Sequence, residues 1–221
     1  MSRLDEETVR ERQRRVTLSG GRWEEYVRLF LNEKLRGSGI EVIVGKYEQQ
    51  IKQRSFGLWK MLSLPIKSST QDYIWGDIDL VAVKENIPIA VISCKTSLHG
   101  RFTETLFWSL LYRMMTRIKV VLATSDTGSG EKGKLKTEWG TPENPNQNRL
   151  LAEAFLDGVY VENVPEFCPE LVEPTVFGGI VRPLAELPED LKRWAEDASR
   201  VIYRGGFLDW YLREKHSRQS I

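Results

Sequence analysis

The sequence predicts an α/β fold, and three observations carry the prediction. Several short runs, IDLVAV, IPIAVISC and RIKVVLATSD, are apolar on both faces, as strands are when a sheet is covered from both sides. Stretches with apolar residues at helical spacing precede and separate them. With 221 residues, 41% of them hydrophobic, and 7 tryptophans, the chain can bury a sizeable core as one domain. No run of about 18 apolar residues occurs, and the start MSRLDEETVRERQRR lacks the apolar segment of a secretory signal. A soluble cytoplasmic protein without a membrane contact is therefore expected. The 2 cysteines, Cys94 and Cys168, are too few for a disulfide framework and show no zinc spacing. A net charge of +1 excludes a uniformly basic coat, so any contact with phosphates must come from local clusters of Lys and Arg.

Taken in order, residues 3–15 are mostly charged and read as a weakly ordered helix or arm. Gly20-Gly21 then precede GRWEEYVRLFLNEKLRG, in which Trp23, Tyr26, Val27, Phe30, Leu31 and Leu35 share one face of a helix ending at Gly37 or Gly39. Glu24 lies roughly 70° from the centre of that face and Glu25 nearly opposite it. Residues 40–47 read as a strand. The stretch from there to Trp75 has no sustained period beyond one short helix at 56–62. It interleaves Lys46, Lys52, Arg54, Lys60 and Lys67 with Phe56, Trp59 and Tyr73. That mixture suits phosphates and bases, and it equally suits a solvated loop anchored by its aromatics.

IDLVAV and IPIAVISC form a hairpin across Lys84-Glu85-Asn86, with Pro88 near the start of the second strand. RFTETLFWSLLYRMM is the next helix, with Leu106, Phe107, Leu110, Leu111 and Met114 as its apolar face. RIKVVLATSD is a further buried strand. TGSGEKGKLKTEWGTPENPNQN is a polar, turn-rich loop that is mobile or meets a partner, followed by a short helix NRLLAEAFLDG and a strand VYVENV. A proline-punctuated segment then wraps the core before a helix with Leu191, Trp194, Ala195, Ala198, Val201 and Ile202 on one side. No internal repeat or domain boundary appears. The reading is one domain, with an arm at 1–18, a core at about 19–165 and a wrapping segment and helix at 166–221.

Chemistry concentrates at the hairpin ends. Alternate strand positions share a face, so Asp77 and Asp79 lie together, as do Ser93 and Lys95 on the neighbouring strand. An Asp and a Lys closing adjacent strands serve equally as an ion pair or as the core of a site for phosphodiester hydrolysis. That reaction needs an activated water and neutralisation of developing negative charge. Mg²⁺ supplies both when held by one or two carboxylates and a carbonyl, and a nearby lysine orients the water. Asp77 is read as a supporting acid or a strand cap, Glu25 and His99 as solvated, and Cys94 as a packing residue.

This pattern resembles the PD-(D/E)XK nuclease superfamily, with Asp79 at its first Asp and Lys95 at its Lys, while Ser93 stands where an acid is usual. SCKTSLHGRFTE is similar to the CKTSLRxRxxE phrase of type II restriction endonucleases that carry Ser there and the missing carboxylate on the following helix. Cys94 to Leu98, Arg101 and Glu104 match, and His99 stands where Arg is usual. The resemblance covers about residues 20–125. It implies a mixed central β-sheet flanked by helices, the αβββαβ core, with C-terminal additions. It further implies Asp79, Lys95, Glu104 and Glu24 as catalytic residues. The metal ligands would be Asp79, Glu104, Glu24 and the backbone carbonyl of Cys94. The cofactor would be Mg²⁺, with Mn²⁺ as a substitute. The implied protein is a prokaryotic, homodimeric restriction endonuclease cutting double-stranded DNA at a specific sequence; the expected DNA contacts are Arg101 of the matching phrase, and Arg54 and Lys60 of the basic and aromatic stretch. A structure-specific repair or junction nuclease, and a non-catalytic DNA-binding module, are the alternatives.

Overall fold

The structure, a computed structural model, describes residues 20–66, 70, 72–98, 101–126, 137–162 and 174–202, with side chains as far as 197 in the last segment. The charged arm at 3–15, His99, Cys168, Lys67 and the tail after 202 lie outside the described residues.

Helix α1 covers residues 20–34 and buries Trp23, Val27 and Leu31, with Leu35 buried in the turn just after it. Turns through Gly37 (φ 83°) and Gly39 (φ 76°) end it and lead into β1 (Ile40–Val44). Where one short helix was expected there are two: α2 (Glu48–Arg54) and α3 (Phe56–Leu62), broken at Ser55. Ser55 caps α3 by accepting a hydrogen bond from the Leu58 amide, which explains why seven-residue helices form without a long apolar period. A two-stranded ribbon follows, β2 (Leu64–Pro65) with β3 (Tyr73–Ile74).

The central hairpin joins β4 (Leu80–Lys84) to β5 (Ile87–Lys95) through Glu85 and Asn86, both at positive φ (52° and 62°), as a two-residue turn with native twist requires. Helix α4 (Phe102–Met115) crosses to β6 (Lys119–Thr124), and α5 (Gln147–Phe155) crosses to β7 (Gly158–Val161). The proline-punctuated segment does more than wrap: it supplies β8 (Val181–Pro183), which adds itself to the sheet before α6 (Leu187–Ile202). The order of the six-stranded sheet is β1-β4-β5-β6-β7-β8, antiparallel from β1 to β5 and parallel from β5 to β8.

This is the mixed, helix-flanked sheet that the sequence implies. One face carries α2 to α5 over Val81, Val83, Val91 and Leu122, and the other carries α1 and α6 over Leu80, Ala82, Ala90 and Ile92. Because β5 is covered on both faces and paired on both edges, only the loops at its ends are free to present chemistry. Among the described residues no helix is long and apolar enough to cross a membrane.

Candidate active site

Strand β5 ends on Ser93-Cys94-Lys95, all buried. Strand β4 begins one residue after Asp79, so residues 77–79 run alongside that end without a ladder of their own. The gap is closed by side chains. The Asp79 carboxylate accepts a hydrogen bond from the Cys94 amide (2.7 Å) and from the Lys95 ammonium (3.1 Å), with the Ser93 hydroxyl at 3.4 Å on the same oxygen. Asp77 reaches the Lys95 ammonium from the solvent side at 3.6 Å. The lysine side chain is 2% exposed, Asp79 10% and Asp77 37%, so the cluster grades from buried cation to accessible carboxylate over three residues.

In a strand, a residue's N–H and C=O point to the same neighbour. The Cys94 amide is aimed at Asp79, so its carbonyl also faces the 77–79 segment, away from β6. Burial pushes the Cys94 thiol well above the ordinary cysteine range, and the charges of Asp79 and Glu24 push it further. A neutral, fully buried thiol packs; it does not attack.

Gly45 makes the approach of β1 to this segment possible. A Cβ there would lie 2.3 Å from Ile78 Cγ2, and the Gly45 amide donates to the Asp79 carbonyl at 2.9 Å. The residue after it, Lys46, donates to Glu24 on α1 at 3.0 Å, and this hydrogen bond raises Lys46 above the usual lysine range. Glu24 is therefore held on the same side of the sheet end as Cys94 and Asp79, partly exposed. Glu25 faces water and pairs with Arg28 instead.

The apolar pattern of α4 sets Glu104 roughly 70° from the centre of its apolar face, beside Trp108 and Leu111 and looking back at the strand ends, and the structure turns it differently. The helix buries Phe102, Thr105, Ser109 and Tyr112, and leaves Phe107, Leu110 and Met114 exposed. Glu104 lies roughly 120° from the centre of that buried stripe at 100° per residue, on the exposed surface. The inward positions are small polar residues with partners to satisfy: Thr105 shares a 3.1 Å hydrogen bond with Ser93, and Ser109 bonds the Phe155 carbonyl. Thr105, not Glu104, is the α4 residue that touches the strand end.

The basic candidates also separate. Arg54 forms a paired contact with Glu41 and reaches Asn86, which places it at the hairpin turn, the opposite end of β4 and β5 from Lys95. Lys60 is half-buried on α3. Arg101 is exposed at the start of α4, six residues beyond Lys95 and on the active end of the sheet.

Among the described residues no three His, Cys, Asp or Glu side chains form a closed metal cage. The oxygen set at the sheet end is two carboxylates and one carbonyl, which fits a hard cation that keeps several waters and does not fit a dedicated all-protein cage.

The family described as BsaWI restriction endonuclease type 2 matches residues 49–173, a span that contains β4, β5, α4 and β6. A curated relative, the putative type II restriction enzyme MjaVIP of Methanocaldococcus jannaschii, is 26% identical over 186 residues, 79% of this chain and 77% of the relative. Among solved structures, the specific restriction endonuclease AgeI in its DNA complex superposes with a TM-score of 0.54 at 16% identity, over 79% of this chain. The chain spans 66% of that AgeI chain, just under two thirds, and the likeness is one of fold.

Proposed function

The chain belongs to the BsaWI family of type 2 restriction endonucleases, and from that premise we propose that it hydrolyses phosphodiester bonds of double-stranded DNA at a specific sequence, using a divalent metal. The observation that carries the reading is the convergence of Asp77 and Asp79 on the buried Lys95 ammonium, with the Cys94 amide held on the same Asp79 carboxylate.

Asp79, Asp77 and the Cys94 carbonyl would hold Mg²⁺, with Mn²⁺ as a substitute and Glu24 opposite them. When bound there, the cation would lower the pKa of a coordinated water and neutralise charge on the phosphate. Lys95 is fixed by two carboxylates, so its ammonium sits at a defined place beside the scissile group without needing to reorganise. Ser93 and Thr105 hold the acid position with a neutral hydroxyl pair, and the Ser93 hydroxyl lies on the same Asp79 oxygen that accepts from the Cys94 amide. Glu104, exposed on the first turn of α4 beside the inward Thr105, is a further candidate carboxylate for the reaction. Arg101, at the start of α4, is the proposed DNA contact, and Lys60 on α3 is the second candidate. A homodimer with two such sites would cut both strands of a palindromic sequence.

The test is digestion of plasmid and phage DNA with Mg²⁺, Mn²⁺ or EDTA, followed by mapping of the ends. Discrete fragments that vanish with EDTA are expected. Asp79→Ala and Lys95→Ala should each lower the rate by at least about a hundredfold while DNA binding persists. DNA left intact with both metals overturns the reading. Nicking only at branched junctions transfers it to the repair class of nuclease.

A further inference from the structure

In the loop that joins the Lys95 strand to α4, Thr96, Ser97 and Leu98 are each held by a side chain from far along the chain. The Thr96 carbonyl accepts from the Ser125 hydroxyl at 2.9 Å. The Leu98 amide and the Ser97 hydroxyl both donate to one carboxyl oxygen of Glu138, at 3.0 and 3.3 Å. The Leu98 carbonyl in turn accepts from the amides of Arg101 (3.1 Å) and Phe102 (3.2 Å), so the clamp is passed on to the first turn of α4.

Glu138 itself is fixed on three sides. It is 3% exposed, and its amide donates to Asp126 at 2.9 Å. Its carbonyl accepts from the side chains of Asn146 (2.8 Å) and Asn148 (2.9 Å). Its neighbour Trp139 is fully buried and meets the Phe102 ring edge-on, with centroids 5.5 Å apart. The Trp139 carbonyl is tied by the buried Arg149, which also bonds the carbonyls of Val176 and Gly178. Thus the part of the polar loop at 137–139 that the sequence assigns to mobility or a partner is a strap seated in the core.

Burying a carboxyl group to fasten a loop is costly unless its hydrogen bonds are made, and an apolar side chain would fill the same space without that demand. What the carboxyl adds is a fixed position for residues 97 and 98, which lie between Lys95 and Arg101. We propose that Glu138 is a positioning residue that sets Arg101 relative to Lys95 and so couples sequence recognition to cleavage. This rests on the nuclease reading above.

The experiment compares the intact protein with Glu138→Gln and Glu138→Ala. Amide hydrogen exchange, read by mass spectrometry without DNA or metal, should show the 96–102 peptide of Glu138→Ala opening about tenfold faster, with the β4–β5 hairpin unchanged. In steady-state cleavage with Mg²⁺, Glu138→Ala should lose about tenfold or more in kcat on the preferred site. It should lose less on single-mismatch sites, so discrimination falls. Glu138→Gln keeps an acceptor oxygen and should restore most of both. Unchanged exchange in Glu138→Ala overturns the proposal. So does exchange that rises throughout the sheet, or a Gln variant no better than Ala. A wild-type protein that cuts nothing overturns the nuclease reading, and the exchange measurement then decides the clamp alone.

Discussion

Lys95 is a buried ammonium with two carboxylates, and that arrangement has an energetic signature separate from catalysis. Removing Asp79 leaves the cation in a low-dielectric site with Asp77 at 3.6 Å as its remaining partner. Breaking a buried pair costs about 3–5 kcal/mol when the second charge is stranded, and Asp77 brings the expected loss for Asp79→Ala to about 1–3 kcal/mol. An apolar replacement of both members, Asp79→Leu with Lys95→Met, should recover part of that loss, because no charge is then buried, the Cys94 amide still lacking its acceptor. Urea unfolding of the single and double variants checks this. A double variant no more stable than Asp79→Ala would show that the pair is not the buried ion pair described here.

Cys94 gives a second expectation at the same scale. Its amide and carbonyl face Asp79, but its thiol is buried and held neutral, so Cys94→Ala should keep most of the cleavage activity. Since burial raises the thiol above its ordinary value near pH 8.5, the folded protein at pH 8 should react with iodoacetamide at Cys94 far more slowly than the urea-unfolded chain. Fast native labelling at that residue would contradict its burial.

Residue-level legibility follows from the same geometry. Asp79 and Lys95 could be read because strand alternation places a side chain from sequence alone. Thr105 and Glu138 could not, since one is a small polar residue on a helix that leaves Phe107, Leu110 and Met114 exposed, and the other acts on a residue 40 positions away.

At the scale of elements, the central strands were legible, while β8, the small β2–β3 ribbon and the packing of α4 were not. Runs such as IDLVAV and IPIAVISC are apolar on both faces, which leaves only a doubly covered strand as their fold. In α4 the apolar residues occur nearly all round the helix. The choice of face is then made by Thr105 and Ser109, which find partners only against β5 and α5, and Phe107 and Met114 are left outside. The irregular stretch after β1 hid α2, α3 and the small ribbon because short helices are set by caps and tertiary contacts rather than by period.

One element-level prediction concerns Gly45, where β1 meets the segment carrying Asp77 and Asp79. Gly45→Val places a branched side chain where even a Cβ would stand 2.3 Å from Ile78 and 3.0 Å from its carbonyl oxygen. The strand end must shift, and with it both Asp79 and Lys46. Cleavage should fall by about a hundredfold, a loss comparable to moving a reacting group by 1 Å, while circular dichroism retains the native signal. Activity equal to wild type would mean that β1 does not position the site.

At the scale of the whole molecule, the described residues of a protomer hold a single such cluster, built around Lys95. The proposed cleavage of both strands in one encounter is then expected to use two copies, in the symmetric pair that a two-fold symmetric target favours. The near-neutral total charge adds a constraint, because attraction to phosphates must come from one basic face rather than from the chain as a whole. Two expectations follow and can be measured together. Light scattering on the eluting protein should give twice 25.5 kDa, and supercoiled plasmid at limiting enzyme should go directly to the linear form. Affinity for the same DNA should fall steeply between low and physiological salt, since released counterions rather than net charge set the slope. A protein that elutes at 25.5 kDa and accumulates nicked circles would still be a nuclease, but one acting on single strands in turn, and the symmetric assembly would have to be abandoned.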